Sequence, residues 1–220
     1  MPTTYDSISA FLQAHQVTLV AVSKTKPDAD ILTLYAKGQR DFGENRVQEL
    51  REKYERLPKD IRWHMIGHLQ SNKVKYIAPW IYMIHSIDTL NLLEEVNKQA
   101  EKYKRVIPCL LQLHIAQEET KFGFDTQEID ALFAEDPEMR FPHVRIHGLM
   151  AMATNTDDAE IVKKECAQAK ALFDRLQKTI FADKNYFNTL SMGMSSDFEI
   201  AVAAGSTLVR IGSLLFGERH

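Results

Sequence analysis

Short apolar runs and longer amphipathic stretches alternate from one end of the chain to the other. Residues 5–15 carry apolar positions at helical spacing and predict an opening helix. Residues 18–23 (TLVAVS) form a β-branched apolar run, which predicts a strand. Helical periodicity returns over 28–37 and stops at Gly38, a residue suited to the position just past a helix end. The same reasoning places further strands at 41–43, 62–66, 81–86, 106–115, 144–151, 189–192 and 208–211. Helices fall at 45–57, 71–77, 89–103, 128–135, 158–179 and 197–204.

That is the strand–helix count of a (β/α)8 barrel. An open doubly wound sheet is the competing architecture. Polar and glycine-rich segments fall just after the strands all along the chain. A barrel gathers those strand ends into one ring, whereas an open sheet spreads them along an edge. The expected fold is therefore α/β, a single TIM barrel over residues 1–220.

Composition narrows the partners. The chain has 220 residues, 45% hydrophobic and 26% charged, enough to bury a sizeable core. A net charge of −3 gives no global attraction to nucleic acid or to an anionic membrane. No apolar run approaches the ~18 residues of a membrane span. Residues 1–6 lack the basic and apolar regions of an export signal. Cys109 and Cys166 sit in no C-x-x-C pair, so a reduced, cytoplasmic protein is expected. Cys109 lies in an apolar run and reads as a buried small hydrophobe.

Lys24 is the most informative residue. It follows the first strand directly, where barrels build their active sites. A half-buried amine with a second cation nearby, here Lys26, is disfavoured as ammonium, and the free amine is a nucleophile for aldehydes. Position alone favours a solvated lysine at a strand end, because most lysines are surface residues.

The second constellation is LSMGMSSDFE (190–199). Ser196 and Glu199 have capping-box spacing, so a helix is expected to start there. Gly193 permits close backbone approach, and barrels often hold a phosphate between the loops after strands 7 and 8. An ordinary capped helix fits the segment as well. In LVRIGS (208–213), period-2 alternation turns Arg210 to the face opposite Val209 and Ile211. Such an arginine needs an acceptor, either a core carboxylate or a ligand. Gly212 and Ser213 offer backbone N–H and a hydroxyl.

Other signals are weaker. Asn45 stands at cap spacing before Gln48, or faces the site. Ser71 is expected to cap the helix that follows. His64 and His68, and likewise His143 and His147, are four apart, but neither pair comes with a third ligand, so no metal site is expected. Lys121 adds charge near the mouth or is solvated.

Together, AVSKTKP (21–27), DFGENRVQE (41–49), WHMIGHLQSNK (63–73), HSID (85–88), TKFGF (120–124), HGLMAMA (147–153), LSMGMSSDFEIAVAAGST (190–207) and VRIGSLLFGER (209–219) resemble the pyridoxal-phosphate homeostasis protein family. The resemblance implies a barrel like the N-terminal domain of alanine racemase. It implies that Lys24 holds pyridoxal 5′-phosphate (PLP) as a Schiff base and that Arg210 faces the pyridine nitrogen. It places Ser191, Gly193, Gly212 and Ser213 at the phosphate and Asn45 near the ring. Lys26 and Lys121 match secondary lysines of the family.

Two functions remain open on these grounds. One is a carrier that holds PLP and hands it to apo-enzymes in transient contacts, with no catalytic residue. The other is a racemase-like PLP enzyme of weak activity. An arginine beside the pyridine nitrogen disfavours its protonation and weakens the ring as an electron sink. The last strand lies only a few residues before His220, which leaves no room for a second domain to supply an opposing acid or base. Both points favour the carrier, expected to be a monomer. A cofactor-free aldolase on the same fold would use Lys24 too, but its cradle and Arg210 would need a sugar phosphate.

Overall fold

A computed structural model of the chain describes residues 2–115, 122–134 and 137–217. Helix α1 (Tyr5–Ala14) opens it, capped by Thr4 and Ser7 in a reciprocal box. Strand β1 (Thr18–Val22) and helix α2 (Asp28–Ala36) follow, then β2 (Asp41–Glu44) and α3 (Val47–Arg56). Gly38 has φ +99°, the left-handed conformation expected just past α2. Strand β3 (Arg62–Met65) leads into a 3-10 segment, Ser71–Tyr76, and then β4 (Met83–Ile87) and α4 (Leu90–Lys102). In α4 the buried Leu92, Leu93, Val96 and Ala100 keep to one stripe, which is why this segment reads so clearly as a helix. Next come β5 (Ile107–Gln112), α5 (Thr126–Leu132), the single turn α6 (Pro137–Arg140), β6 (Val144–Met150) and α7 (Ala159–Lys178). Strand β7 (Thr189–Ser191), α8 (Phe198–Ala203), β8 (Leu208–Ile211) and the turn α9 (Ser213–Phe216) complete the fold.

Among the described residues the eight strands are parallel and close in sequence order, β8 pairing back onto β1. The open-sheet alternative is excluded by that closure. The closing register sets Val20 opposite Arg210 and Ala21 opposite Ile211. The helices cover the outside, and the main core lies between them and the sheet.

Several expectations are corrected in detail. The segment 71–77 winds as 3-10 rather than α, and Ser71 does not cap it; its N-cap is Gln70, and Ser71 Oγ accepts from Asn91 Nδ2 at 3.0 Å. Strand β4 starts at Met83 rather than 81, because the Ile81 amide is still bonded to the Ile77 carbonyl. Strand β5 ends at Gln112; beyond it Leu113 bridges Phe124 instead. The Ser196–Glu199 capping box does not form. Asp197 is the N-cap residue of α8, and its carboxylate is taken by the Met194 amide at 2.6 Å. Asn45 does not cap α3; Arg46 occupies that position without a side-chain bond.

The lumen is unusually polar for a barrel. The bond between His85 Nδ1 on β4 and Ser191 Oγ on β7, 3.2 Å, joins strands that are not neighbours, so it crosses the interior. Gly43 leaves space for apolar neighbours at the same level: a Cβ there would lie 2.9 Å from both Ile66 Cδ1 and Val20 Cγ1.

Candidate functional site

The C-terminal ends of the strands surround a cavity of about 430 Å3. Strand β1 and the turn after it supply Val22, Lys24 and Lys26 to the wall. Asn45 follows β2, Ile66 follows β3 and Met152 follows β6. The loop after β7 gives Met194, Ser195 and Ser196, and β8 with its following turn gives Arg210, Gly212 and Ser213. Residues almost 190 positions apart thus meet because β1 and β8 are neighbours.

The lining is cationic. Among the described residues its ionisable side chains are Lys24, Lys26 and Arg210, and it holds no carboxylate. An anion fits such a wall, and a ligand with an apolar ring finds Val22, Ile66, Met152 and Leu214 beside it.

Lys24 is half-buried, and its neighbours on both sides are fixed from α3. Lys53, itself buried, donates to the Ser23 carbonyl at 2.7 Å, to Glu44 Oε1 at 2.8 Å and to Glu49 Oε1 at 2.7 Å. Ser23 Oγ donates to the same Glu44 oxygen at 2.6 Å. Glu49 also accepts from the Thr25 amide at 2.6 Å. Thr25 has φ +65°, a conformation a β-branched residue seldom adopts, and the Glu49 bond helps hold it there. Burial raises the Glu44 carboxyl above its ordinary range against the pull of Lys53, and its Oε2 has no partner among the described residues.

Lys26 reaches across the mouth. Its ammonium donates to the carbonyls of Phe216 at 2.9 Å and Gly217 at 3.1 Å, tying the turn after β1 to the turn after β8.

Arg210 is 4% exposed and spans the floor of the cavity. It donates to Ser191 O at 2.9 Å, to Ser191 Oγ at 2.6 Å and to Ala151 O at 3.1 Å. Burial lowers its pKa to about 10 against the attraction of Asp197, so it stays charged at neutral pH. Of the two readings of its acceptor, the core-carboxylate one is not what the structure shows; its protein acceptors are a hydroxyl and carbonyls.

The candidate residues divide. Lys24, Asn45, Arg210, Gly212 and Ser213 come together on the cavity wall. Ser191 lies beneath Arg210, fully buried, and does not line the cavity. Gly193 does not line it either. At φ +97° it lets α8 pack close, and its carbonyl accepts from the Arg210 amide at 3.0 Å. The Gly212 amide donates to Ser195 Oγ at 3.2 Å, joining the two loops. Lys121 lies outside the described residues. Sequence reasoning missed Ser195 and Ser196 as lining groups, the Lys53–Glu44–Glu49 brace, and His64 and His85. His64, between Trp63 and Met65, carries the same signal that singled out Arg210, a polar residue set between apolar neighbours in a strand; His85 has Ser86 on one side and does not.

Comparison with known proteins agrees with this geometry. Residues 4–220 match the family described as alanine racemase, N-terminal domain. A pyridoxal phosphate homeostasis protein of Aquifex aeolicus (strain VF5) is 42% identical over 202 residues, covering 91% of this chain and 86% of that protein. The structure of PipY from Synechococcus elongatus PCC7942 without PLP superposes with a TM-score of 0.85 at 39% identity, covering 95% of this chain and 98% of that one. PipY with PLP bound superposes with a TM-score of 0.82 at 37% identity and the same coverage. The chain therefore belongs to the alanine racemase N-terminal-domain family and, within it, to the pyridoxal phosphate homeostasis proteins.

Proposed function

We propose that this chain binds PLP at the barrel mouth and serves PLP homeostasis as a carrier rather than as a catalyst. The observation that carries the reading is the cavity itself. One lysine at the end of β1 faces a buried arginine and a ring of hydroxyl and backbone groups, with no carboxylate in the described wall. The likeness to PipY, solved with PLP bound, supports the same ligand here.

In this reading Lys24 Nζ adds to the aldehyde carbon of PLP and the carbonyl oxygen leaves as water, giving a Schiff base. Arg210 lies toward the pyridine nitrogen, and Gly212, Ser213 and the serines after β7 receive the phosphate. Asn45 flanks the ring. Ser191 and Gly193 act from behind, through Arg210.

The carrier role rests on what surrounds the lysine. Bound PLP supplies an electron sink, and its use in racemisation needs an acid or base on each face of the substrate. Apart from Lys24, the described wall offers the Lys26 ammonium, engaged with two carbonyls, and Arg210. No histidine, tyrosine, cysteine or carboxylate faces in from the described residues. Transient docking of apo-enzymes, a monomeric state and a cytoplasmic location complete the proposal. Among the described residues no helix is long and apolar enough to cross a membrane, and both cysteines are buried thiols.

The test is spectral. Purified protein mixed with PLP should gain a visible absorption band. Borohydride should discharge it and leave the reduced adduct on the peptide containing Lys24, seen by mass spectrometry. Lys24→Ala should fold and lack the band. A colourless protein with no reducible mass would sink the reading, and turnover of D- or L-alanine at ordinary enzyme rates would replace the carrier by the racemase.

A further inference from the structure

The barrel interior contains one continuous line of buried polar side chains, and only its last member reaches the cavity. Asp41 Oδ1 is 3.0 Å from His64 Nε2. His64 Nδ1 is 2.8 Å from His85 Nε2. His85 Nδ1 is 3.2 Å from Ser191 Oγ, which accepts from Arg210 at 2.6 Å. The line begins at the first residue of β2, where Arg62 donates to both Asp41 oxygens, and ends under the mouth. It therefore runs the height of the barrel, from the N-terminal face to the cavity.

The proton positions follow from its two ends. Arginine only donates, and an ionised carboxylate only accepts. Asp41 is ionised: burial pushes its pKa up, but Arg62 and His64 together hold it down at about 2. Its acceptance fixes a proton on His64 Nε2. At the other end Ser191 Oγ accepts from Arg210, and its own single proton has one remaining partner, His85 Nδ1. His85 then carries its proton on Nε2 and gives it to His64 Nδ1. Each imidazole then donates once and accepts once, with both rings neutral. A second proton on His64 would turn His85 around and leave the buried Ser191 hydroxyl proton without an acceptor. Burial, with the Arg210 charge beside it, holds the His85 pKa well below its ordinary value, in keeping with the neutral form.

We propose that Asp41, His64 and His85 are positioning residues for Arg210: the line orients the guanidinium and couples it to Asp41 as a remote counter-charge. Bonds aligned head to tail polarise one another, so Ser191 Oγ becomes a better acceptor than an isolated hydroxyl. The role toward a cofactor rests on the carrier reading above; the line of bonds does not. The other charges felt along it are Arg62 at Asp41 and Asp197 at Arg210, with Lys24 and Lys26 across the cavity.

Two measurements test this. Nitrogen-15 imidazole spectra of the cofactor-free protein should show His64 and His85 both protonated on Nε2 and bare on Nδ1. A proton on Nδ1 of either would overturn the line as drawn. In the PLP-loaded protein, Asp41→Asn keeps an acceptor for His64 but removes the charge. It should move the pH midpoint of the visible band down by about half a unit. His85→Leu should loosen PLP and shift the band, and His85→Gln, whose amide can accept from Ser191 and donate to His64, should restore both. An Asp41→Asn protein with unchanged midpoint and affinity would refute the coupling. If the unsubstituted chain took up no PLP, the carrier reading would fall, while the imidazole spectra would still decide the line of bonds.

Discussion

Lys53 Nζ donates to the carbonyl of Ser23 at 2.7 Å, so the residue before Lys24 is held by a buried ammonium from α3. The same ammonium neutralises Glu44 from within the barrel wall and Glu49 on the helix surface. The position of the candidate lysine thus depends on a charge pair that water does not reach.

Lys53→Met is expected to remove that hold and leave Glu44 buried without its cation. Breaking a buried pair by deleting one partner costs about 3–5 kcal/mol. Urea unfolding should show a loss of that size. Lys53→Met with Glu44→Leu should recover most of the stability but not the PLP affinity, since Ser23 remains untied. Full affinity in the double variant would refute the brace.

Thr25 should tolerate glycine and reject proline. At φ +65° a glycine relieves about 1–2 kcal/mol of left-handed strain and returns about 0.5–1 kcal/mol as chain entropy. Thr25→Gly should therefore leave stability unchanged or raise it by at most about 1.5 kcal/mol. Thr25→Pro cannot adopt that φ and loses the amide bonded to Glu49, so a loss of about 3 kcal/mol is expected. Calorimetric midpoints of the two variants give the comparison.

Gly193→Ala would place a methyl 2.7 Å from Ala201 Cβ and 3.1 Å from Phe198 Cα at φ +97°. Overpacking and strain together should cost about 2–3 kcal/mol. Adding Ala201→Gly removes the clash but not the strain, so partial recovery is expected. Complete recovery would show that φ contributes nothing at this site.

Acid should destabilise the protein in two stages. The folded His85 pKa lies well below 6.5, through burial first, with the Arg210 charge adding to it. The unfolded chain therefore binds a proton below about pH 6.5 that the folded one refuses, and stability falls as pH drops through that value. Asp41 acts lower: its folded pKa is about 2, beneath the ordinary 3.8, so its contribution is intact above 3.8 and lost as pH falls toward 2. Urea midpoints at about pH 7.5 and about pH 5 should differ in the native chain, and His85→Gln should shrink the difference. An identical slope in the variant would exclude His85 as the source.

Much of this was legible in the residues. Strands such as β1 and β5 announce themselves by apolar runs buried on both faces, and Gly38 marks the end of α2. The single turns α6 and α9 carry no period in four residues and were not foreseen. Ser196 and Glu199 had the right spacing for a cap, yet the Met194 turn took Asp197 for that position. Lys24 stood out by its place at a strand end, and Arg210 as an arginine set between apolar neighbours within a strand. The histidine line did not, because it depends on which strands sit across the lumen from one another, and the brace did not, because it depends on how α3 packs against the ends of β1 and β2. Spacing within a strand gives the facing side but not the partner opposite.

The Lys26 ammonium bonds to carbonyls some 190 residues further along. A growing polypeptide on the ribosome therefore cannot assemble this pocket while its final strand is still unmade. Uptake of ligand must await synthesis of that strand, and a partly translated copy would leave free vitamin untouched.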